Sequence, residues 1–238
     1  MRIAILSDIH GNLVALDAVL ADARRELADQ FVCLGDVAGN GPQPRQVIQR
    51  VHELGCPVVR GNTDEWFLVP QTFDPNSEKE RRVMDMLHWG IEQFSPADVE
   101  FIQTFQPHAE IALENNATLL CFHGSPQSNT DALLAATPDD DLARMLGAYH
   151  ATVMAGGHTH TQMLRRYKDM MIINPGSVGL PIARNGWGEY ALVEIREGRL
   201  AVEFRRVPFD VSALLQSARE SGMPQFEWWA GDWANPQL

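Results

Sequence analysis

Arg2-Ile3-Ala4-Ile5-Leu6-Ser7-Asp8-Ile9-His10-Gly11-Asn12-Leu13-Val14-Ala15-Leu16 opens the chain and decides its fold class. Ile3–Asp8 reads as a strand that is apolar on both faces, as in a sheet covered on both sides. Asn12–Glu26 reads as a helix, with Leu13, Leu16, Val19 and Leu20 at helical spacing and Asn12 as its N-cap. Between them stand Asp8 and His10, at the strand's carboxyl end, where α/β sheets bind ligands. The unit then repeats. Phe31–Asp36 reads as a strand, Pro44–Leu54 as a helix with proline near its start, and Pro57–Asn62 as a strand. This βαβαβ order predicts parallel strands with right-handed crossovers.

Further along, the pattern changes. Gln71–Ser77 is rich in turn residues, and Glu78–Phe94 and Pro96–Phe105 read as helices, the second capped by Ser95. We take 71–106 as a helical insertion carried by the core. Glu110–Glu114 and Thr118–His123, split by Asn115-Asn116, predict a hairpin. Ala151–Ala155 reads as a strand and Asp139–Tyr149 as a helix. Met163–Lys168, Met170–Asn174, Tyr190–Ile195 and Leu200–Val207 predict a largely β final third, with a turn at Glu197-Gly198 and a closing helix at Val211–Gly222. Parallel units first and a meander later predict two mixed sheets. With helices outside, residues 1–238 form one α/β domain, a four-layer αββα sandwich with a Trp-rich tail at about 224–238.

Composition narrows the function. The formal charge is 19 − 31 = −12 and no Lys/Arg cluster stands out, which disfavours long nucleic acid and anionic membrane as partners. No apolar stretch approaches the roughly 18 residues of a membrane helix, and Asp8 interrupts the first apolar run too early for a signal peptide. Cys33, Cys56 and Cys121 are odd in number and widely spaced. A disulfide framework is therefore not expected, and the cytoplasm is the expected compartment.

Asp8-Ile9-His10 is the first of five polar motifs that end apolar runs; the others are Gly35-Asp36, Gly61-Asn62, His123-Gly124 and Gly157-His158-Thr159-His160. Together they offer Asp8, His10, Asp36, Asn62, His123, His158 and His160 as metal ligands. Asp8 and His10, two apart in an extended segment, would point the same way and grip one ion. Asp36 has two oxygens and can bridge two ions. A mixed nitrogen and oxygen set without thiolate suits Mn, Fe, Zn, Ni or Co better than Mg or Ca. Two divalent ions roughly 3.5–4 Å apart would lower the pKa of a bridging water, bind phosphoryl oxygens and align in-line attack. Asp36, Asn62 and His123 would serve catalysis through metal and phosphate positioning.

In order and wording these motifs resemble the calcineurin-like metallophosphoesterases. Gly35-Asp36-Val37-Ala38-Gly39-Asn40-Gly41-Pro42, Arg60-Gly61-Asn62-Thr63-Asp64, His123-Gly124-Ser125-Pro126 and Asn174-Pro175-Gly176-Ser177-Val178-Gly179 resemble its small prokaryotic YfcE-type phosphodiesterase branch. The resemblance runs from residue 1 to about residue 210. It implies the αββα fold, one ion held by Asp8, His10, Asp36 and His160, and a second held by Asp36, Asn62, His123 and His158. Many phosphatases of the family place a histidine directly after the asparagine as a leaving-group acid; here Thr63 follows, then Asp64, which is expected to be ionised unless buried.

Arg60 and Arg184 are candidates for the substrate phosphate, each with an ordinary salt bridge as the competing role. Asn174 and Ser177 are expected to fix the loop beneath the metals. His52, His88, His108 and His150 are expected on the surface or on helix faces. Trp66, Phe67 and Trp89 would pack the insertion on the core or wall the site, and Trp228, Trp229 and Trp233 would cover the chain's own apolar surface or make a homo-oligomer contact. The expected activity is hydrolysis of a small phosphoester, diesters ahead of monoesters. The alternatives are a phosphatase of nucleotides or other small monoesters, and a non-catalytic scaffold on the same fold.

Overall fold

The computed structural model describes residues 1–234 except 70, 72, 73, 75 and 197. In chain order its elements are β1 (Arg2–Leu6), α1 (Leu13–Arg25), β2 (Gln30–Cys33), α2 (Pro44–Leu54), α3 (Asn62–Trp66), α4 (Glu78–Gln93), α5 (Pro96–Gln103), β3 (Ala109–Ala112), β4 (Thr118–Cys121), α6 (Asp139–Leu146), β5 (Val153–Ala155), β6 (Met163–Tyr167), β7 (Met170–Asn174), β8 (Trp187–Arg196), β9 (Arg199–Pro208), α7 (Val211–Ser221) and α8 (Phe226–Ala234). Parts of the turn-rich loop at 71–77, of the turn at Glu197-Gly198 and of the tail (235–238) lie outside the described residues.

Local chemistry sets the helix ends. Asn12 accepts a hydrogen bond from the Ala15 N–H at 3.0 Å and caps α1. Ser95 caps α5 reciprocally with Asp98. Proline opens α2, and Gly55, at φ 60°, closes it.

Two mixed sheets result. One has the order β2-β1-β8-β9 and the other β3-β4-β5-β7-β6. β1 and β2 are parallel, as are β4, β5 and β7, while the remaining neighbours are antiparallel. Alternation along β1 assigns the layers: Ile3 and Ile5 enter a core shared with Leu119, Val153 and Ile173 of the second sheet. Ala4 and Leu6 face the other way, into a core with Leu16, Leu20 and Val47 of the helices. On the far side of the second sheet, Leu120, Met154 and Ile172 meet Leu142 and Leu146 of α6. The order helix, sheet, sheet, helix is the expected αββα sandwich. The C-terminal hairpin β8–β9 completes the N-terminal sheet, so the two sheets interleave in sequence.

Several expectations need correction. Pro57–Asn62 is not a ladder strand. It makes only single bridges, Val58 to Cys33 and Val59 to Gln106, and by Asn62 the chain is already helical in α3. The strands also stop before the motifs: β1 ends at Leu6, β2 at Cys33 and β4 at Cys121. Asp8, His10 and Asp36 have φ of 54°, 49° and 52°, a left-handed backbone that no strand accommodates. Asp8 and His10 therefore do not share a face through strand alternation; a tight turn brings them together. The tail contains a further helix, α8, whose Trp229 and Trp233 are buried against Met86 of α4 and Leu214 of α7.

Candidate metal centre

Each motif occupies a loop or helix start just beyond a strand end. Asp8 and His10 follow β1, Asp36 follows β2, Asn62 opens α3, His123 follows β4, and His158 and His160 follow β5. Backbone bonds tie these loops to one another: Asp8 N–H to Gly35 O at 3.0 Å, His10 N–H to Asp36 O at 2.9 Å, and Gly157 N–H to His123 O at 2.7 Å. Asp64 braces them from beneath, accepting from the N–H groups of Asp36, Val37 and Gly61 at 2.8–2.9 Å. Asn174 donates to Gly157 O and Ser177 to Asp8 O, so both hold loops, as expected. The approach of two of these loops requires glycine: a Cβ on Gly61 would lie 2.2 Å from Asp36 Oδ1.

Three imidazoles are oriented in the same way. The Nδ1 atoms of His10, His123 and His160 lie 2.8, 2.7 and 2.7 Å from the carbonyls of Gly39, Leu34 and Leu180. A carbonyl only accepts, so Nδ1 carries a proton, and in the neutral ring Nε2 presents its lone pair inward. His10 Nε2 and His160 Nε2 face each other at 3.1 Å, and His160 Nε2 is 3.1 Å from Asp8 Oδ1. His123 Nε2 lies 3.2 Å from Asn62 Oδ1 and 3.5 Å from Asp36 Oδ1. His10 Nε2 is 3.7 Å from the other Asp36 oxygen, Oδ2. His158 is half-buried; its N–H donates to Asp8 Oδ2, and its ring stands 5.3 Å from that of His123.

The donor set fits divalent cations. Asp8, His10 and His160 form one group of ligand atoms lying within 4.8 Å of one another, and Asp8, Asp36 and His123 form another. Asp8 Oδ1 is buried without a hydrogen-bond partner. Inward lone pairs and an orphaned carboxylate oxygen are costly together unless a cation meets them.

The local field agrees. Burial works against ionisation of Asp8 and Asp36, yet His160 beside the first and His123 beside the second hold both carboxyls below the usual range. Burial lowers His10 to about 4. His123 resists burial and is pushed up to about 10 by Asp36. Asp64 was expected to be ionised unless buried; it is fully buried, and burial followed by the Asp36 charge raises it to about 7.

Arg60 and Arg184 differ. Arg60 donates from one terminal nitrogen to the carbonyls of Gln103 and Phe105, while its Nε is buried without a partner. It lines a cavity of about 680 Å³ together with His123. Arg184 donates to the Leu180 and Pro181 carbonyls and lies over the Trp233 ring at 5.6 Å, so it supports the carbonyl that orients His160.

The cavity also contains residues that the sequence did not single out, among them Glu65, Gln127, Asn129 and Tyr149. His108, expected on the surface or a helix face, is half-buried in this wall, with Nε2 2.6 Å from Pro126 O. No motif surrounds His108 or Tyr149, and only the fold brings them together.

Comparison with known proteins identifies the family. A family description, the calcineurin-like phosphoesterase superfamily domain, matches residues 1–198. A metallophosphoesterase structure from Sphaerobacter thermophilus is 28% identical, covers 97% of this chain and 98% of that one, and superposes with a TM-score of 0.76. The hypothetical protein PH1004 from Pyrococcus horikoshii shares the fold at a TM-score of 0.81 and 19% identity, with 98% and 97% of the two chains covered. Phosphodiesterase YfcE of Escherichia coli is 28% identical over 198 residues, 78% of this chain and 83% of its own.

Proposed function

The chain belongs to the calcineurin-like phosphoesterase superfamily and is a metal-dependent hydrolase of phosphoric esters; from that premise we propose that it is a two-metal phosphodiesterase. The observation that carries the proposal is the convergence of the His10, His123 and His160 Nε2 atoms on the carboxylates of Asp8 and Asp36.

One ion would be held by Asp8, His10, Asp36 and His160, and the other by Asp36, Asn62, His123 and His158. Asp8 belongs to both side-chain groups, which makes it a rival bridge. Its Oδ2, however, already accepts from Ser7 Oγ at 2.5 Å and from His158 N–H at 3.1 Å, leaving only Oδ1. Asp36 turns Oδ1 toward His123 and Oδ2 toward His10, the division a bridging carboxylate needs. When bound, a divalent pair lowers the pKa of water and neutralises charge on phosphoryl oxygens. The chain's own part is positional: the Thr63 N–H donates to Asp36 Oδ1 at 2.9 Å and fixes that carboxylate. Arg60 lines the cavity where the phosphate would extend.

No side chain beside Asn62 is equipped to protonate a leaving group. Thr63 is buried against Gly39, and both Asp64 oxygens accept backbone N–H groups. The diester preference rests on the resemblance to YfcE, named a phosphodiesterase. Residues 1–238 are read as one domain, with the insertion and tail packed together through Met86, Trp229 and Trp233. Cytoplasmic residence is supported by three free cysteines. Among the described residues no helix is long and apolar enough to cross a membrane.

The test compares bis(p-nitrophenyl) phosphate with p-nitrophenyl phosphate on Mn²⁺-loaded protein, before and after chelation. The diester should turn over faster, and chelation should stop both reactions. Faster monoester turnover overturns the diester reading, and activity that survives complete metal removal overturns the metal reading.

A further inference from the structure

The cavity beside His123 has polar walls, yet most of its polar side chains are already engaged. Asn129 Nδ2 donates to Glu65 Oε2 at 2.8 Å. Ser125 Oγ donates to Asp131 at 2.7 Å, and Gln127 Nε2 donates to Arg144 O at 2.5 Å. Ser128 Oγ lies 3.0 Å from Thr130 Oγ1. Two kinds of unmet capacity remain. One is the Arg60 guanidinium, which lines the cavity and, among the described residues, bonds only the Gln103 and Phe105 carbonyls through one terminal nitrogen. The other is a pair of rings. Tyr149 is 41% exposed just beyond α6, and its ring centroid lies 5.0 Å from that of His108 at an interplanar angle of 44°. The bond from His108 to Pro126 O fixes that imidazole in place. A cation and an aromatic wall in about 680 Å³ suit a ligand that carries an anion and a planar ring.

We propose that the cavity bounded by Arg60, His108 and Tyr149 is a ring-binding subsite, and that the substrate is a nucleotide-like phosphoester whose base or aryl group lies against the Tyr149 ring while its phosphate reaches the metal centre. The inference rests on the phosphoesterase reading of that centre and adds the class of group attached to the phosphorus. A flat π-face binds bases without reading their edges, so the subsite favours a ring over a plain sugar or alkyl group and discriminates little among bases. The acidic chain suits a single small nucleotide better than a polymer.

The experiment is calorimetric titration of the full-length Mn²⁺-loaded protein with adenosine 5′-monophosphate and with ribose 5-phosphate. These ligands share phosphate and sugar and differ only in the ring. The nucleotide should bind about tenfold more tightly, the scale of one base stacked on one aromatic side chain. Tyr149→Ala should bring the two affinities together, and Tyr149→Phe, which keeps the ring, should preserve the difference. Equal affinities in the native protein, or a difference that survives Tyr149→Ala, would overturn the subsite while leaving the phosphoesterase reading in place. If neither ligand bound, the phosphate site itself would fall, and this inference with it.

Discussion

Two buried carboxylate clusters in this protein are built in opposite ways. Asp22, on α1, is closed by the protein: Tyr190 Oη–H donates to it at 2.7 Å, Arg205 Nε at 2.8 Å, and Arg25 also pairs with it. Every charge there has a partner, and the cluster ties α1 to β8 and β9. Among the described residues the Asp8 and Asp36 cluster has no Lys or Arg in its ion pairs, and the groups that face its carboxylates are imidazoles whose Nε2 atoms point inward. Even the hydroxyls differ: Tyr190 donates to its carboxylate, whereas Thr63 Oγ1 is buried without a partner. A closed cluster is an internal fastening. An open one, held by glycine turns and a left-handed backbone, is shaped for a cation supplied from outside.

The contrast breaks most visibly at Asp36. Asp36→Asn should reduce turnover by roughly 10³ or more, because in the proposed site one carboxylate would serve both ions, while His158→Ala, which would touch one ion, should cost less. Steady-state kinetics with circular dichroism as a folding control checks the order. A milder loss in Asp36→Asn than in His158→Ala would move the bridge elsewhere, with Asp8 the first alternative.

Thr63 provides the next test. A positioned acid is typically worth about 10²–10⁴ in rate, and this site lacks one beside Asn62. Across diesters that differ only in leaving-group pKa, kcat should fall steeply as that pKa rises. A flat series, with chemistry rate-limiting, would show that another group supplies the proton. Asn174 then separates ligand from support. It touches the loop of His158 and His160 through Gly157 O and Thr159 Oγ1. Asn174→Ala should weaken Mn²⁺ binding or activity by about 10–100-fold, the usual cost of losing a ligand's outer support.

Much of this was legible in the sequence. The pattern from Ile3 to Leu20 specified strand and helix, and five tips of Asp, Asn and His marked one edge of the fold. The left-handed turns at Asp8, His10 and Asp36 were not legible, because apolar runs such as Ile3–Leu6 look the same whether or not the strand continues. Val58 and Val59 have strand propensity but share their bonds between Cys33 and Gln106, a division fixed only by tertiary packing. Asp22 could not be told from Asp36 as a buried acid, since Tyr190 and Arg205 lie far along the chain. The approach of His108 to Tyr149 is likewise a product of the fold.

At the closed cluster the expected effects are on stability alone. Asp22→Ala should destabilise the fold by about 1.5–3 kcal/mol, the scale of hydrogen bonds to a charged group, and leave kcat unchanged. Burial opposes ionisation of Asp22, but its bonds to Arg205 and Tyr190 prevail and hold its carboxyl below the ordinary value. A lowered folded-state pKa gives stability that is present above the unfolded carboxyl's pKa and lost as pH falls through the folded one. Thermal melts should therefore show a shallower acid-side decline in Asp22→Asn than in the native chain.

We propose that two divalent ions sharing Asp36 complete the open cluster. Calorimetric titration of chelator-stripped protein with Mn²⁺ tests it most directly. Two equivalents per chain are expected in the native protein, with both weakened in Asp36→Asn. A single equivalent, or two that Asp36→Asn leaves undisturbed, would contradict it.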